Sequence, residues 1–150
     1  MALLIGWTQF ITAFKNKQLP RHKTIGKVYV GAALISALAS LYIAEFANGG
    51  LISTLGFSSL GLIWISTTCM AYSAIRNRHI VVHQKMMIYS YAACFAAVTL
   101  RIWLPLLISL IGDYFISYKI VSWLCWVPNM IVAYFIAQRV DEKKAASIFL

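Results

Sequence analysis

Four apolar stretches, each longer than twenty residues, leave this chain of 150 residues little choice of surroundings. They cover about 25–46, 51–75, 84–111 and 116–138. A helix needs about 20 residues to cross a hydrocarbon core roughly 30 Å thick. In lipid every backbone N–H and C=O must find its partner within the protein, and a helix does this inside one segment. A membrane β-barrel would need alternating segments of about 10 residues, and these runs do not alternate. A fifth apolar stretch, 1–14, reaches only about 21 Å as a helix, too short to cross. It has no basic n-region and no small-residue cleavage site, so it does not read as a signal peptide. The expected fold is all-α: an integral membrane helical bundle, one domain over 1–150, with four full transmembrane helices plus a partial N-terminal helix.

Charge then orients the bundle. Eleven of the thirteen Lys and Arg residues lie in three polar regions: Lys15, Lys17, Arg21, Lys23 and Lys27; Arg76, Arg78 and Lys85; Arg139, Lys143 and Lys144. The intervening gaps hold no basic residue around Gly49 and only Lys119 near the fourth span. Basic residues mark the cytoplasmic side of short loops. The expected topology is multi-pass, with the N-terminus outside and the C-terminus cytoplasmic. A net charge of +9 would suggest nucleic acid in a soluble domain. In a chain that is 61% hydrophobic it is topological, and no nucleic-acid partner is expected.

Small residues recur at helical spacing in Ala32, Ser36, Ser40 and Ala44, and in the pairs Ala92/Ala96 and Ala93/Ala97, where neighbouring helices can approach closely. Cys69, Cys94 and Cys125 are dispersed within spans and form no CxxC. They read as small buried thiols rather than metal or haem-attachment sites.

All three histidines fall at the expected cytoplasmic face. His22 precedes the first long span, and His79 and His83 lie at the entrance to the third, four residues apart. One histidine from each of two helices can supply both axial ligands of a b-type haem. That makes His22 and His83 the candidate haem b ligands, with nearby Arg and Lys as propionate partners. His22, His79 and His83 together could instead form an open zinc or iron site. The plainer alternative is interfacial basic residues touching head groups or helix ends.

Toward the other face, Arg101 stands inside an apolar run, about 24 Å along the helix from Lys85. A buried cation at that depth needs a partner or a water path. Glu45 and Asp113 are the available carboxylates, and Trp103, Trp123 and Trp126 sit at similar depth. Either Arg101 snorkels outward through an aromatic belt, or it charges an anion- or quinone-binding pocket walled by indoles. In the second case it is a cofactor-binding residue. Pro105 is expected to kink the helix there.

These residues carry a resemblance. The segments Pro20-Arg21-His22 and Gly26-Lys27-Val28-Tyr29 are followed by His83 with Met86, Met87 and Tyr91. Then come Ala97-Val98-Thr99-Leu100-Arg101-Ile102-Trp103-Leu104-Pro105 and Trp123-Leu124-Cys125-Trp126-Val127-Pro128-Asn129. In order and spacing the chain resembles a bacterial family of predicted membrane proteins called domain of unknown function 2306. The resemblance implies a multi-helix membrane fold and no established activity. It also implies relatives that begin further upstream, with a complete first helix that often carries another histidine. Gln84-Lys85-Met86-Met87 departs from the family's basic residues and Trp-Met pair, so no role is assigned to a Trp there. More distantly, the architecture is similar to b561-type membrane cytochromes. With no intramembrane histidine, two haems crossing the membrane are excluded on ligand count.

Three functions compete on these observations. The first is a haem- or metal-binding protein linked to respiratory redox chemistry. The second is a non-catalytic accessory or assembly subunit of a larger inner-membrane complex, meeting a membrane-protein partner or a second copy. The third, a transporter, is opposed by the scarcity of polar residues in the spans and the lack of an inverted repeat. Nucleophilic or paired-carboxylate catalysis is poorly supplied by four acidic residues, two of them in the tail.

Overall fold

The computed structural model describes the backbone of residues 19–148 and the side chains of 24–140. The apolar segment 1–14, expected as a partial helix, lies outside the described residues. Five α-helices follow: α1 Leu19–Ala44, α2 Leu51–Arg76, α3 Ile80–Ile111, α4 Tyr114–Leu124 and α5 Val127–Ile148. Four stretches are long and apolar enough to cross a membrane, namely Thr24–Ala44, Leu51–Arg76, Ile80–Ile111 and Tyr114–Val140. The all-helical, multi-pass bundle read from the sequence is therefore the fold.

Local chemistry sets most helix ends. Gly49 and Gly50 adopt positive φ (109° and 72°) before α2, a conformation that costs glycine little. Gly112 closes α3 in the left-handed region, its N–H bonded to the Ile108 carbonyl at 2.9 Å. Asp113 then caps α4 by accepting from the Ile116 N–H at 2.9 Å. At the opposite end of the bundle, Arg78 (φ 59°) ends α2. Its N–H reaches the Ile75 carbonyl and that of His79 reaches Ala74, the paired bonds of a Schellman turn.

Several boundaries differ from expectation: α1 runs from Leu19 to Ala44 rather than over 25–46, and α5 continues to Ile148. The third span starts at Ile80 rather than 84, because the turn after α2 is short. The fourth span is not one helix: it starts at Tyr114 and breaks at Cys125–Trp126. Pro128 explains the break, since it has no N–H for the Leu124 carbonyl and its ring clashes there. Pro105 lies within α3 without interrupting it.

Most of the buried apolar residues are alanines. Ala33, Ala37, Ala71, Ala93, Ala96, Ala133 and Ala137 are buried, whereas Ile35, Leu62, Val132 and Phe135 are exposed. This is the arrangement expected in lipid, where side-chain size rather than polarity decides which face packs inward. In the first half of α1 the buried stripe is rotated by one residue from the expected one, with Ala33 and Ala37 buried and Ser36 exposed; toward its end the expected Ala44 is buried and Ser40 half-buried. In α3, Ala93 and Ala96 face inward and Ala97 is exposed. Central α3 packs on α2, α4 and α5; α1 packs mainly on α2.

Candidate functional site

The His83 end of the bundle holds the most developed polar arrangement. Its base is a chain of hydroxyls joining three helices. Tyr29 on α1 bonds Ser90 on α3 at 3.1 Å, and Ser90 bonds Thr68 on α2 at 2.7 Å. Thr68 donates to the Trp64 carbonyl at 2.7 Å. Each hydroxyl has one proton, and a carbonyl only accepts. The direction is therefore fixed: Tyr29 donates to Ser90, Ser90 to Thr68, Thr68 to Trp64. Tyr29 and Ser90 are fully buried. The buried indole N–H of Trp64 lies near the Tyr29 hydroxyl without a well-formed bond to it.

His83 lies one step toward the loop. Its Nδ1 is 2.8 Å from the Ala71 carbonyl on α2. Because that oxygen cannot donate, Nδ1 carries the proton, and in the neutral ring Nε2 keeps its lone pair. Nε2 has no partner among the described residues. Metal-ligating histidines are held in this way, with the non-ligating N–H on a backbone carbonyl. Held so, Nε2 of His83 is the ring atom through which this imidazole could ligate a metal.

The other two histidines are placed differently. His79 is the residue before α3, with non-helical ψ of 75°, and it is exposed. His79 therefore caps α3 instead of standing within it, and its carbonyl accepts the His83 N–H at 3.0 Å. His22 falls in the first turn of α1, and its side chain lies outside the described residues. Its register is informative all the same. His22 precedes Tyr29 by seven residues, and His83 precedes Ser90 by seven, on two helices joined by the Tyr29–Ser90 bond. Seven residues are close to two turns, so each histidine position sits about 10 Å below that bond on the helix face that makes it. Among the described residues no group of three His, Cys, Asp or Glu is placed to hold a metal.

Sequence reasoning missed the hydroxyl chain. Its members are common residues far apart in the chain, and the shared seven-residue spacing of Tyr29 and Ser90 from a histidine is the signal that could have linked those two. Ser90→Ala should leave the Tyr29 hydroxyl without an acceptor. We expect a loss of about 1–2 kcal/mol, read by denaturant titration in mixed micelles, with a Tyr29→Phe/Ser90→Ala coupling of about 0.6–1.7 kcal/mol.

The residues expected to form the second cluster are divided by the structure. Thr99 donates to the Cys125 carbonyl, and Asn129 donates to that same carbonyl at 3.0 Å and to the Thr99 hydroxyl at 3.2 Å. Trp126 donates its indole N–H to the Ser122 carbonyl at 3.0 Å. These bonds supply donors to backbone groups around the break between α4 and α5. Trp103 and Trp126 pack against Ala96, Val121 and Cys125, and Trp123 lies 5.7 Å from Trp126. Arg101 does not join them. It is two residues from both Thr99 and Trp103, hence on the opposite face of α3, and it is exposed. Its Nη1 donates to the Ala97 carbonyl at 2.8 Å. The expected pairing with Glu45 or Asp113 is absent among the described residues.

Comparison with curated proteins and with solved structures found no match. A family model does match, over residues 1–137, and so takes in the histidine end, the Thr99–Pro105 segment and the break at Pro128. The chain belongs to the predicted membrane protein family DUF2306.

Proposed function

We propose that this protein binds one haem b, or a metal ion in its place, at the His83 end of the bundle, and serves respiratory redox chemistry in a bacterial inner membrane. The observation that carries the reading is the Nδ1 bond of His83 to the Ala71 carbonyl, which leaves Nε2 as a ligand. The matched registers of His22 and His83 support a ligand from each of α1 and α3. Bound there, a haem supplies a one-electron iron couple. The protein's own part is to fix the His83 tautomer, hold α1 and α3 together through Tyr29 and Ser90, and offer the exposed Arg76 and Arg78 to propionates. The basic loops favour the cytoplasmic side for this end.

The test is an optical spectrum of protein purified in mild detergent, oxidised and then dithionite-reduced, with metal analysis of the same sample. A Soret band that shifts and sharpens on reduction, at about one haem per chain, is the expected result. A colourless, metal-free protein from haem-replete cells would sink the reading.

A second reading, a non-catalytic accessory or assembly subunit of a larger inner-membrane complex, is favoured by a different observation. Arg101 is charged, deep within α3 and exposed.

A further inference from the structure

We infer that the Ala97–Arg101–Pro105 face of α3 is the seat of a transmembrane helix from a different protein, one that presents an Asp or Glu carboxylate to Arg101. The inference rests on the accessory-subunit reading and is independent of any haem.

Depth is the first argument. Arg101 is followed by ten uncharged residues, Ile102 to Ile111, before α3 ends. Its guanidinium turns away from that end, back to the Ala97 carbonyl. Side chains on a helix lean toward its N-terminus, so this is the direction the backbone favours. Ala97 lies 14 residues before Ile111, about 21 Å at 1.5 Å per residue. Head-group phosphates at the Asp113 end are beyond reach of a guanidinium held there. One bond to a carbonyl leaves most of its five N–H donors and its charge uncompensated, a costly state against lipid.

The second argument is the shape of the face. Ala97, Arg101 and Pro105 are all exposed and successive at four-residue spacing. Ala97 lets another helix come close. Pro105 has no N–H to give the Arg101 carbonyl, which takes away that acceptor's regular helix donor one turn beyond the Ala97 carbonyl. A partner carboxylate would meet the guanidinium, and a neighbouring hydroxyl or amide could reach that carbonyl.

The third argument excludes a second copy of this chain. Its four acidic residues are Glu45, Asp113, Asp141 and Glu142, and none falls inside a span. Measured outward from the Tyr29–Ser90 bond, Glu45 is 16 residues on and Ala97 only seven, a difference of about 13 Å. Asp113 is further still, and it caps α4. Rotation about an axis normal to the membrane preserves depth. Another copy therefore brings its carboxylates no nearer.

The experiment places a photo-crosslinking amino acid at Ala97 in the full chain, expressed in its native membrane, with the same probe at exposed Val132 on α5 as the off-face control. We expect one discrete heteromeric product from position 97 and none of it from 132. Its crosslinked peptide should come from a transmembrane segment holding Asp or Glu. In Arg101→Leu the yield should fall at least tenfold, and exchanging the two charges between the partners should restore it. Arg101→Lys should lower it too, since an ammonium lacks the bidentate fork; an anchor merely snorkelling to head groups would leave it unchanged. Crosslinks to lipid alone would overturn the inference together with the accessory-subunit reading. A partner segment without a carboxylate, or a homodimer, would overturn the inference and leave that reading standing.

Discussion

Replacing His83 with Ala should reduce haem or metal occupancy from about one per chain to under a tenth, while His79→Ala leaves the spectrum unchanged. The two residues are four apart, so composition and net charge change equally in both variants. What differs is the structure around them. His83 is held by the Ala71 carbonyl with Nε2 open, whereas His79 stands exposed in the turn before α3. If His22 and His83 hold a haem, losing His83 would leave one protein ligand on the iron, and a b-type haem would have no covalent tether to make up for it. His83→Gln separates ligation from hydrogen bonding: it can still donate to Ala71 but offers iron no imidazole. Equal loss in His83→Ala and His83→Gln would identify ligation. Wild-type spectra in both would remove His83 from the site and return it to the role of a hydrogen-bonded helix residue. His22→Ala is expected to match His83→Ala, and a normal spectrum there would require the second ligand to come from elsewhere.

The largest stability effect is expected far from the histidines, at Gly56. This glycine of α2 meets the backbone of α4. A Cβ built on it would stand 2.9 Å from both the carbonyl oxygen and Oγ of Ser122, and 3.1 Å from the carbonyl carbon. A side-chain tip could swing away; a helix backbone cannot. Gly56→Leu would therefore force α2 and α4 apart at the cluster of Ala96, Val121 and Cys125, which Phe57 and Leu60 flank. Overpacking of this kind costs about 1–3 kcal/mol even for small insertions, and the longer side chain should exceed that range. We expect Gly56→Leu to fail to accumulate as a folded protein and Gly56→Ala to lose about 1–3 kcal/mol by denaturant titration. Gly31 supplies the control. Nothing lies within 4 Å of a Cβ built there, so Gly31→Ala should be neutral or gain about 0.5–1 kcal/mol from helix propensity. Gly61 falls between the two, because its nearest neighbour is the flexible end of Leu41, at 2.7 Å. If Gly56→Leu were as stable as the parent, the close α2–α4 approach would be wrong.

Much of this architecture was legible without a structure, and the reason is specific to lipid. Span length and the demand for internal backbone hydrogen bonds act within one segment, so the four spans could be placed from local sequence alone. The glycines at 49, 50 and 112 and the aspartate at 113 signal their turns in the same local way. Pro128 was visible too, although the break it causes was not expected in an otherwise continuous apolar run. Which way each helix faces was another matter. In water the apolar face points inward, and the pattern shows it. In a bilayer both faces are apolar, so Ala32/Ser36 and Ala33/Ala37 look alike until a neighbouring helix chooses between them. The candidate site depended on the same choice. Sequence singled out His22, His79, His83 and Arg101 by residue type. Only tertiary packing set His83 against Ala71 and joined Tyr29 to Ser90 and Thr68. Those pairings span 12, 61 and 22 positions of chain, and hydrogen bonds between helices follow from rotation and depth, which no local segment encodes.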